Sequence, residues 1–325
     1  MLRLLARSEV DTVAWDACVA SSRQPIIYGY SWYLDAVTSG PAWRWVGLAL
    51  TDETGSYRAV MPIPLRRKWG VWVVHQPLFC PFLDVFSSDE TLDPAPFHEA
   101  AQQHYGYGSV LCLQSPLRSP PAFATIRPRT THLLDLSMGY ETLARRYNRD
   151  RRLNLRRAEG YGWSVTDSTD PEPLLALFRA NHASRIEGGV GAWAYAILRQ
   201  LILALQERGL ASIQYAWFED RVEAGALFVT EGNRIIYLFN AATEPGRKGN
   251  ARTLLIDRQL RANAGCRVAN RPLLFDFESP QKKSIVNFYA SFGATESEFT
   301  EVRWNRLPVG VKIGRRLLNL IRRAI

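Results

Sequence analysis

Apolar positions in the first 135 residues come in short runs broken by turn-forming or charged residues. Trp32–Val37 reads as a short helix entered through Tyr30-Ser31, with Ser31 as its N-cap. Apolar runs at Trp45–Leu50 and Tyr57–Leu65 flank Thr51-Asp52-Glu53-Thr54-Gly55, a hairpin turn. Val71–His75 is a third strand after the basic turn Arg66-Arg67-Lys68. A helix at Phe97–Tyr105 and a strand at Ser109–Gln114 follow. Pro116, Pro120, Pro121 and Pro128 make the next stretch a poor candidate for either element, and it reads as the crossing between halves.

The second half opens on a long helix, Tyr140 to Glu159, stopped by Gly160 and Gly162. A strand (Trp163–Asp167) and two helices (Glu172–Arg185, Trp193–Arg208) lead into a three-strand meander, Ala211–Phe218, Glu223–Thr230 and Arg234–Asn240. A charged, glycine-bearing loop, Glu244–Asn250, precedes a helix at Ala251–Ala264, a strand at Leu273–Phe277 and a last helix at Lys283–Ser291. Helices, antiparallel meander, helix, strand and helix in that order define an α+β class.

Length and charge narrow the picture. A chain of 325 residues suits two domains, and 47% hydrophobic residues can fill both cores without disulfides. Cys18, Cys80, Cys112 and Cys266 lie far apart, and neither they nor the five histidines show metal-ligand spacing, so no metal is expected. The first residues, MLRLLARSEVDTVAWDACVA, are too charged for a secretory segment, and no apolar run approaches a membrane span; a cytoplasmic protein is expected. A formal net charge of +9 favours phosphate-bearing partners: nucleotides, coenzyme A, tRNA or anionic lipid headgroups.

Several side chains could carry chemistry. Asp276 and Glu278 alternate along a strand beside Phe275 and Phe277; either could take a proton, or both could end the strand in salt bridges with Lys282 and Lys283. His182, near Arg185, could be a base or an acceptor ligand, and Asn240 could meet a carbonyl or merely close a strand. On the helix from Tyr140, Arg145, Arg149, Arg152 and Arg156 form a stripe that is either a solvated face or a track for phosphates. Arg151 falls on the apolar side of that helix, where it must pair or reach a cleft. From Pro308 on, Leu317, Leu318 and Ile321 oppose Lys312, Arg315, Arg316, Arg322 and Arg323 with no acid present. That pattern suits a basic amphipathic helix on an anionic membrane surface, or one packed on the protein.

The order from Trp163 to Ala294 is similar to the GNAT acetyltransferase domain. Gly246-Arg247-Lys248-Gly249-Asn250-Ala251 fits the family's [RQ]-x-x-G-x-[GA] loop at Gly249 and Ala251 and departs from it at Gly246. The resemblance implies that this loop, after Asn240, holds a donor's pyrophosphate on backbone N–H groups. Asn287-Phe288-Tyr289-Ala290-Ser291-Phe292-Gly293-Ala294 looks like the closing helix, which implies that Tyr289 protonates the leaving group. Across nearly the whole chain, Ser31-Trp32-Tyr33, Met61-Pro62-Ile63-Pro64, the arginine helix, His182-x-x-Arg185 and Phe275-Asp276-Phe277-Glu278 resemble the Fem-type peptidoglycan transferases.

The resemblance implies two GNAT-like domains, residues 1–135 and 136–307, each a mixed, mostly antiparallel sheet flanked by helices, with 308–325 as a basic tail. It implies acyl or aminoacyl transfer from acyl-CoA or aminoacyl-tRNA to an amine or hydroxyl, with a cell-envelope precursor as one acceptor. Apart from the resemblance, the basic C-terminal helix offers peripheral contact with the inner face of the membrane to a cytoplasmic protein, and no binding of DNA is expected. A CoA-dependent acetyltransferase of small amines or sugars is the rival enzyme, and a catalytically inactive GNAT scaffold binding RNA or membrane is the rival of another class.

Overall fold

The computed structural model describes residues 1–114, 123–186, 188–278 and 282–306. The tryptophans and tyrosines near the start of the chain gather into the first of two units, Met1–Arg129 with the strand residues from Phe299 onward; the second unit is Thr130–Glu298.

In the first unit, β1 (Leu2–Ala6) is followed by α1 (Thr12–Ala20) and α2 (Ser31–Val37) before β2 (Trp43–Thr51), β3 (Tyr57–Lys68) and β4 (Val71–His75). β1 to β4 pair antiparallel in sequence order. A short β5 (Phe86–Ser87) pairs with β3, and α3 (Ala95–His104) leads to β6 (Tyr107–Leu113), parallel to β4. Gly47 lets Trp15 of α1 lie flat on β2, since a Cβ there would sit 2.4 Å from the indole. Ser31 is the first residue of α2 and not its cap. Asp16 reaches across from α1 to accept both its N–H (2.6 Å) and its hydroxyl (3.0 Å), so the capping carboxylate comes from another helix.

β7 (Ala124–Asp135) runs through the region where no element was expected. Pro128 is exposed and lies outside the ladder to the second unit's next strand, which takes only Leu133–Asp135. There follow α4 (Tyr140–Arg146), α5 (Arg149–Glu159), β8 (Ser164–Ser168), α6 (Glu172–Asn181) and α7 (Ala192–Gln206). The meander is β9 (Ala211–Phe218), β10 (Arg221–Glu231) and β11 (Arg234–Ala242). After it come α8 (Glu244–Lys248), α9 (Ala251–Ala262), the two-residue strands β12 (Arg267–Val268) and β13 (Arg271–Pro272), β14 (Leu274–Asp276) and α10 (Lys283–Ala290). β15 (Thr295–Asn305), which no sequence signal announced, returns to the first unit and pairs with β6 from Thr300 on.

The second unit's sheet runs β7-β14-β11-β10-β9-β8, antiparallel except where β14 meets β11. Both units therefore repeat one plan: an antiparallel meander, a crossover helix, and a strand parallel to the meander's last. Two further expectations change. The helix from Tyr140 is two helices: Tyr147 turns out of helical geometry with its hydroxyl on Asp257 (2.8 Å), and Asn148 caps α5 by accepting the Arg151 N–H (2.8 Å). The loop 244–250 is mostly α8, capped by the Thr243 hydroxyl on the Gly246 N–H (3.0 Å). The tail from Pro308 lies outside the described residues.

Candidate active site

β14 pairs with β11 only over Arg234–Ile236 and ends at Asp276, while β11 continues to Ala242. The two strands part after Ile236 because β14 is only three residues long. Beyond it, β11 carries a bulge: Leu227 of β10 faces Phe239 but Phe228 faces Tyr237, which leaves Leu238 as the extra residue. A bulge re-aims the side chains that follow, and Asn240 is one of them. α10 delivers Tyr289 to this place. Its ring stacks on Phe277 at 4.7 Å, and its hydroxyl faces the Asn240 side chain, which pulls the phenol's pKa down. Asn240 Oδ1 in turn accepts from Arg252 Nη1 (3.1 Å). Burial pushes the Tyr289 phenol up to about 12, against the opposing pull of Arg252 and Asn240, so the hydroxyl stays protonated at neutral pH.

The two carboxylates do not share a setting. Asp276 is wholly buried; its Oδ2 accepts from Arg234 Nη1 (2.7 Å) and its Oδ1 from the Thr131 hydroxyl (2.8 Å) and the Glu278 N–H (2.9 Å). Its counter-charge is Arg234, not the lysines of α10. Glu278 lies past the end of β14, half-buried, with a left-handed backbone (φ 43°) that a non-glycine residue rarely adopts. Its charge is felt by Tyr289 and raises the phenol further. The strand alternation therefore does not extend to Glu278.

Cations gather at the end of β11. His182, just after α6, has Nε2 at 3.1 Å from both the N–H and the carbonyl oxygen of Ala242. Burial first, then Arg252, Arg247 and Arg185, hold His182 below the usual imidazole range, so it is neutral at pH 7. Arg247 Nη1 donates to the Ala242 carbonyl (2.8 Å), and Arg185 and Arg252 crowd it with like charge. The main chain of the glycine loop is largely spent within itself. The N–H groups of Gly246, Arg247, Gly249 and Asn250 go to Thr243 Oγ1, Thr243 O, Pro245 O and Arg247 O. A Cβ on Gly246 would meet the Glu223 carbonyl at 2.2 Å and one on Gly249 the Trp163 ring at 2.4 Å, so both glycines serve close packing. Lys248 pairs with Glu244 on the surface (2.8 Å), while Asn250 is left-handed (φ 57°) and Ala251 is buried at the start of α9.

Arg145 and the arginines of α5, Arg149, Arg152 and Arg156, are exposed but divided between two helices. Arg152 folds back onto the carbonyl oxygens of Arg145 (3.5 Å) and Tyr147 at the end of α4. Arg151 is 5% exposed, donates to Ser291 Oγ (2.9 Å) and Thr253 Oγ1, and lies over Phe288 (4.1 Å) and Phe292 (4.6 Å). The residue that sequence reasoning missed is Arg252. It sits two positions past the charged loop and joins Asn240, Tyr289 and His182, but a single arginine at a helix start carries no signal of its own. Among the described residues there is no cluster of side chains suited to a metal ion, and no helix is long and apolar enough to cross a membrane.

Residues 144–269 match the family described as acetyltransferase (GNAT) domain. Comparison with curated protein sequences gives no match. Among solved structures, FemX superposes with a TM-score of 0.63 at 12% identity, over 90% of this chain and 96% of that one. A tandem GNAT protein from the clavulanic acid biosynthesis pathway gives 0.56 at 16% identity, over 95% and 99%. L-PGS from Bacillus licheniformis gives 0.52 at 12% identity, over 93% and 94%. Residues 144–269 thus match a GNAT acetyltransferase domain, and the chain as a whole shares the fold of these structures. Its two GNAT-like units give it the Fem-like double-GNAT arrangement.

Proposed function

We propose that this protein moves an acyl or aminoacyl group from a phosphate-bearing donor, acyl-CoA or aminoacyl-tRNA, to an amine or hydroxyl acceptor, with the reacting carbonyl where β11 leaves β14. The observation that carries the reading is the relay Arg252–Asn240–Tyr289. Asn240 turns its oxygen to Arg252, which leaves its amide N–H to face the phenol oxygen. A donated N–H and a nearby guanidinium both favour the phenolate, so Tyr289 can release its proton to the leaving thiolate or ribose oxygen as that charge develops. Glu278, whose charge reaches Tyr289, takes the proton of the incoming amine. Asp276 acts as a positioning residue, since it accepts the Glu278 N–H. Arg185, Arg247 and Arg252 meet the donor's phosphates, with the exposed arginines of α4 and α5 available to a longer polyanion. His182 is neutral and engaged with Ala242, which suits it to hold the end of β11. Phosphate-bearing or membrane-borne acceptors, such as a cell-envelope precursor, fit the net charge of +9.

The test is label transfer from radiolabelled acetyl-CoA and aminoacyl-tRNA to a panel of amines, with Tyr289→Phe in parallel. A fall in kcat of about 10²–10⁴-fold at unchanged melting temperature is expected for the variant. Full activity in Tyr289→Phe would remove the tyrosine from the chemistry. Transfer from neither donor, with RNA or vesicle binding retained, would leave an inactive scaffold.

A further inference from the structure

Beside Tyr289 lies a second phenol that the mechanism above leaves unused. Tyr237 is on β11, one residue before the bulged Leu238, and is 2% exposed. Its ring packs on Phe228 (5.4 Å) and Phe275 (6.4 Å) and stands at 90° to that of Tyr289, 6.1 Å away. Its hydroxyl has no hydrogen-bond partner among the described residues. A buried hydroxyl left without a partner destabilises the fold, and phenylalanine would fill the same space without that cost. The aromatic cluster therefore gives no reason for the oxygen to be there. The neighbouring groups whose charge reaches it are Tyr289 and Arg252, both members of the candidate site. Burial holds its proton on well beyond the ordinary phenol range, so the group is a hydrogen-bond donor at any working pH.

Resting on the acyl-transfer reading, we propose that Tyr237 is a further catalytic residue, whose hydroxyl donates to the carbonyl oxygen of the acyl group as the tetrahedral intermediate forms. In that step the acceptor's amine nitrogen forms a bond to the carbonyl carbon, and the C=O π pair moves onto oxygen, where the Tyr237 O–H meets it. Glu278 takes the amine proton. Collapse restores the carbonyl and breaks the bond to the donor's sulfur or ribose oxygen, which leaves with the Tyr289 proton; Tyr237 keeps its own proton throughout. A preorganised donor in a water-free site is worth most to charge that exists only in the transition state. The two tyrosines then divide the work: one holds charge on the carbonyl oxygen, the other protonates the leaving atom.

The experiment is Tyr237→Phe in the full chain, with two readouts. The first needs no substrate. The melting temperature of Tyr237→Phe should equal or exceed that of the parent, because no protein hydrogen bond is lost; a lower value would mean that the hydroxyl has a structural partner and would overturn the proposal. The second is single-turnover transfer from whichever of acetyl-CoA or aminoacyl-tRNA the parent uses. A loss of about 10²–10³-fold in rate with unchanged donor affinity is expected, the range found for removing one oxyanion donor. An active parent with an equally active Tyr237→Phe would sink this inference alone. An inactive parent with both donors would sink the acyl-transfer reading, and this inference with it.

Discussion

Asp276 and Glu278 stand two residues apart and should fail in different ways when altered. Arg234 keeps only 14% of its side chain exposed, so Asp276→Asn leaves a largely buried guanidinium without its counter-charge. A cost of about 3 kcal/mol in urea unfolding is expected, with activity falling in step as the Glu278 backbone loosens. Glu278 is only half-buried past the end of β14, so Glu278→Gln should cost less stability than Asp276→Asn and lose rate; a rate equal to the parent's would move the base elsewhere. Buried histidines set a second residue-scale expectation. Burial lowers His98 to about 4, so between that value and the ordinary histidine pKa of about 6.5 the unfolded chain binds a proton that the folded chain does not. Stability should therefore fall as pH drops below about 6.5, by about 2 kcal/mol at pH 5 for this residue, with no effect above neutrality. Unfolding of the parent and His98→Gln at pH 5 and 7.5 checks this: the slope should shrink in the variant, with the remainder left to His75, and an undiminished slope would assign the loss to other groups. The sequence marked Asp276, Glu278, Tyr289 and Asn240 as candidates, and the second unit brings Glu278, Tyr289 and Asn240 together. It could not separate the two carboxylates, because the difference lies in Arg234 and Thr131, 42 and 145 positions away in the chain.

Elements whose pattern was regular were legible to within a few residues: the meander, α7, α9 and α10 all lie where apolar periodicity put them. Boundaries set by one side chain finding a distant partner were not. The break between α4 and α5 depends on Tyr147 reaching Asp257 and on Asn148 acting as a cap, in a stretch whose other residues all tolerate a helix. Asn148→Ala should cost about 1 kcal/mol, and Asn148→Asp, which can still accept the Arg151 N–H, should restore most of it. If Asn148→Ala is neutral in thermal unfolding, packing of Tyr147 alone makes the break. α8 was hidden for a similar reason. Gly246 within it and Gly249 just after it suggested an open anion loop, but each is needed where a Cβ would strike Glu223 or Trp163. β7 and β15 were invisible because proline and charged residues mask strands whose pairing partners are remote in the chain.

At the scale of the whole molecule, the repeated plan of meander, crossover helix and parallel strand is the double-GNAT fold, yet Asn240, Arg252 and Tyr289 all belong to the second unit. The surplus charge is a separate property. Of the net +9, Lys312, Arg315, Arg316, Arg322 and Arg323 supply five positive charges within the last 18 residues, where there is no acid. Next to an anionic bilayer such side chains contribute about 1 kcal/mol each, and insertion of Leu317, Leu318 and Ile321 would add to this. An enzyme whose acceptor is lipid-linked gains from being held where that acceptor is concentrated. The full chain should therefore sediment with vesicles containing phosphatidylglycerol and not with neutral phosphatidylcholine vesicles, and binding should weaken as salt shortens the range of the attraction. Removing residues 308–325 should abolish sedimentation while melting temperature and transfer to a soluble amine are kept. Vesicle binding that survives the deletion would point to the exposed arginines of α4 and α5 instead, and a deletion that unfolds the protein would make the tail part of a core.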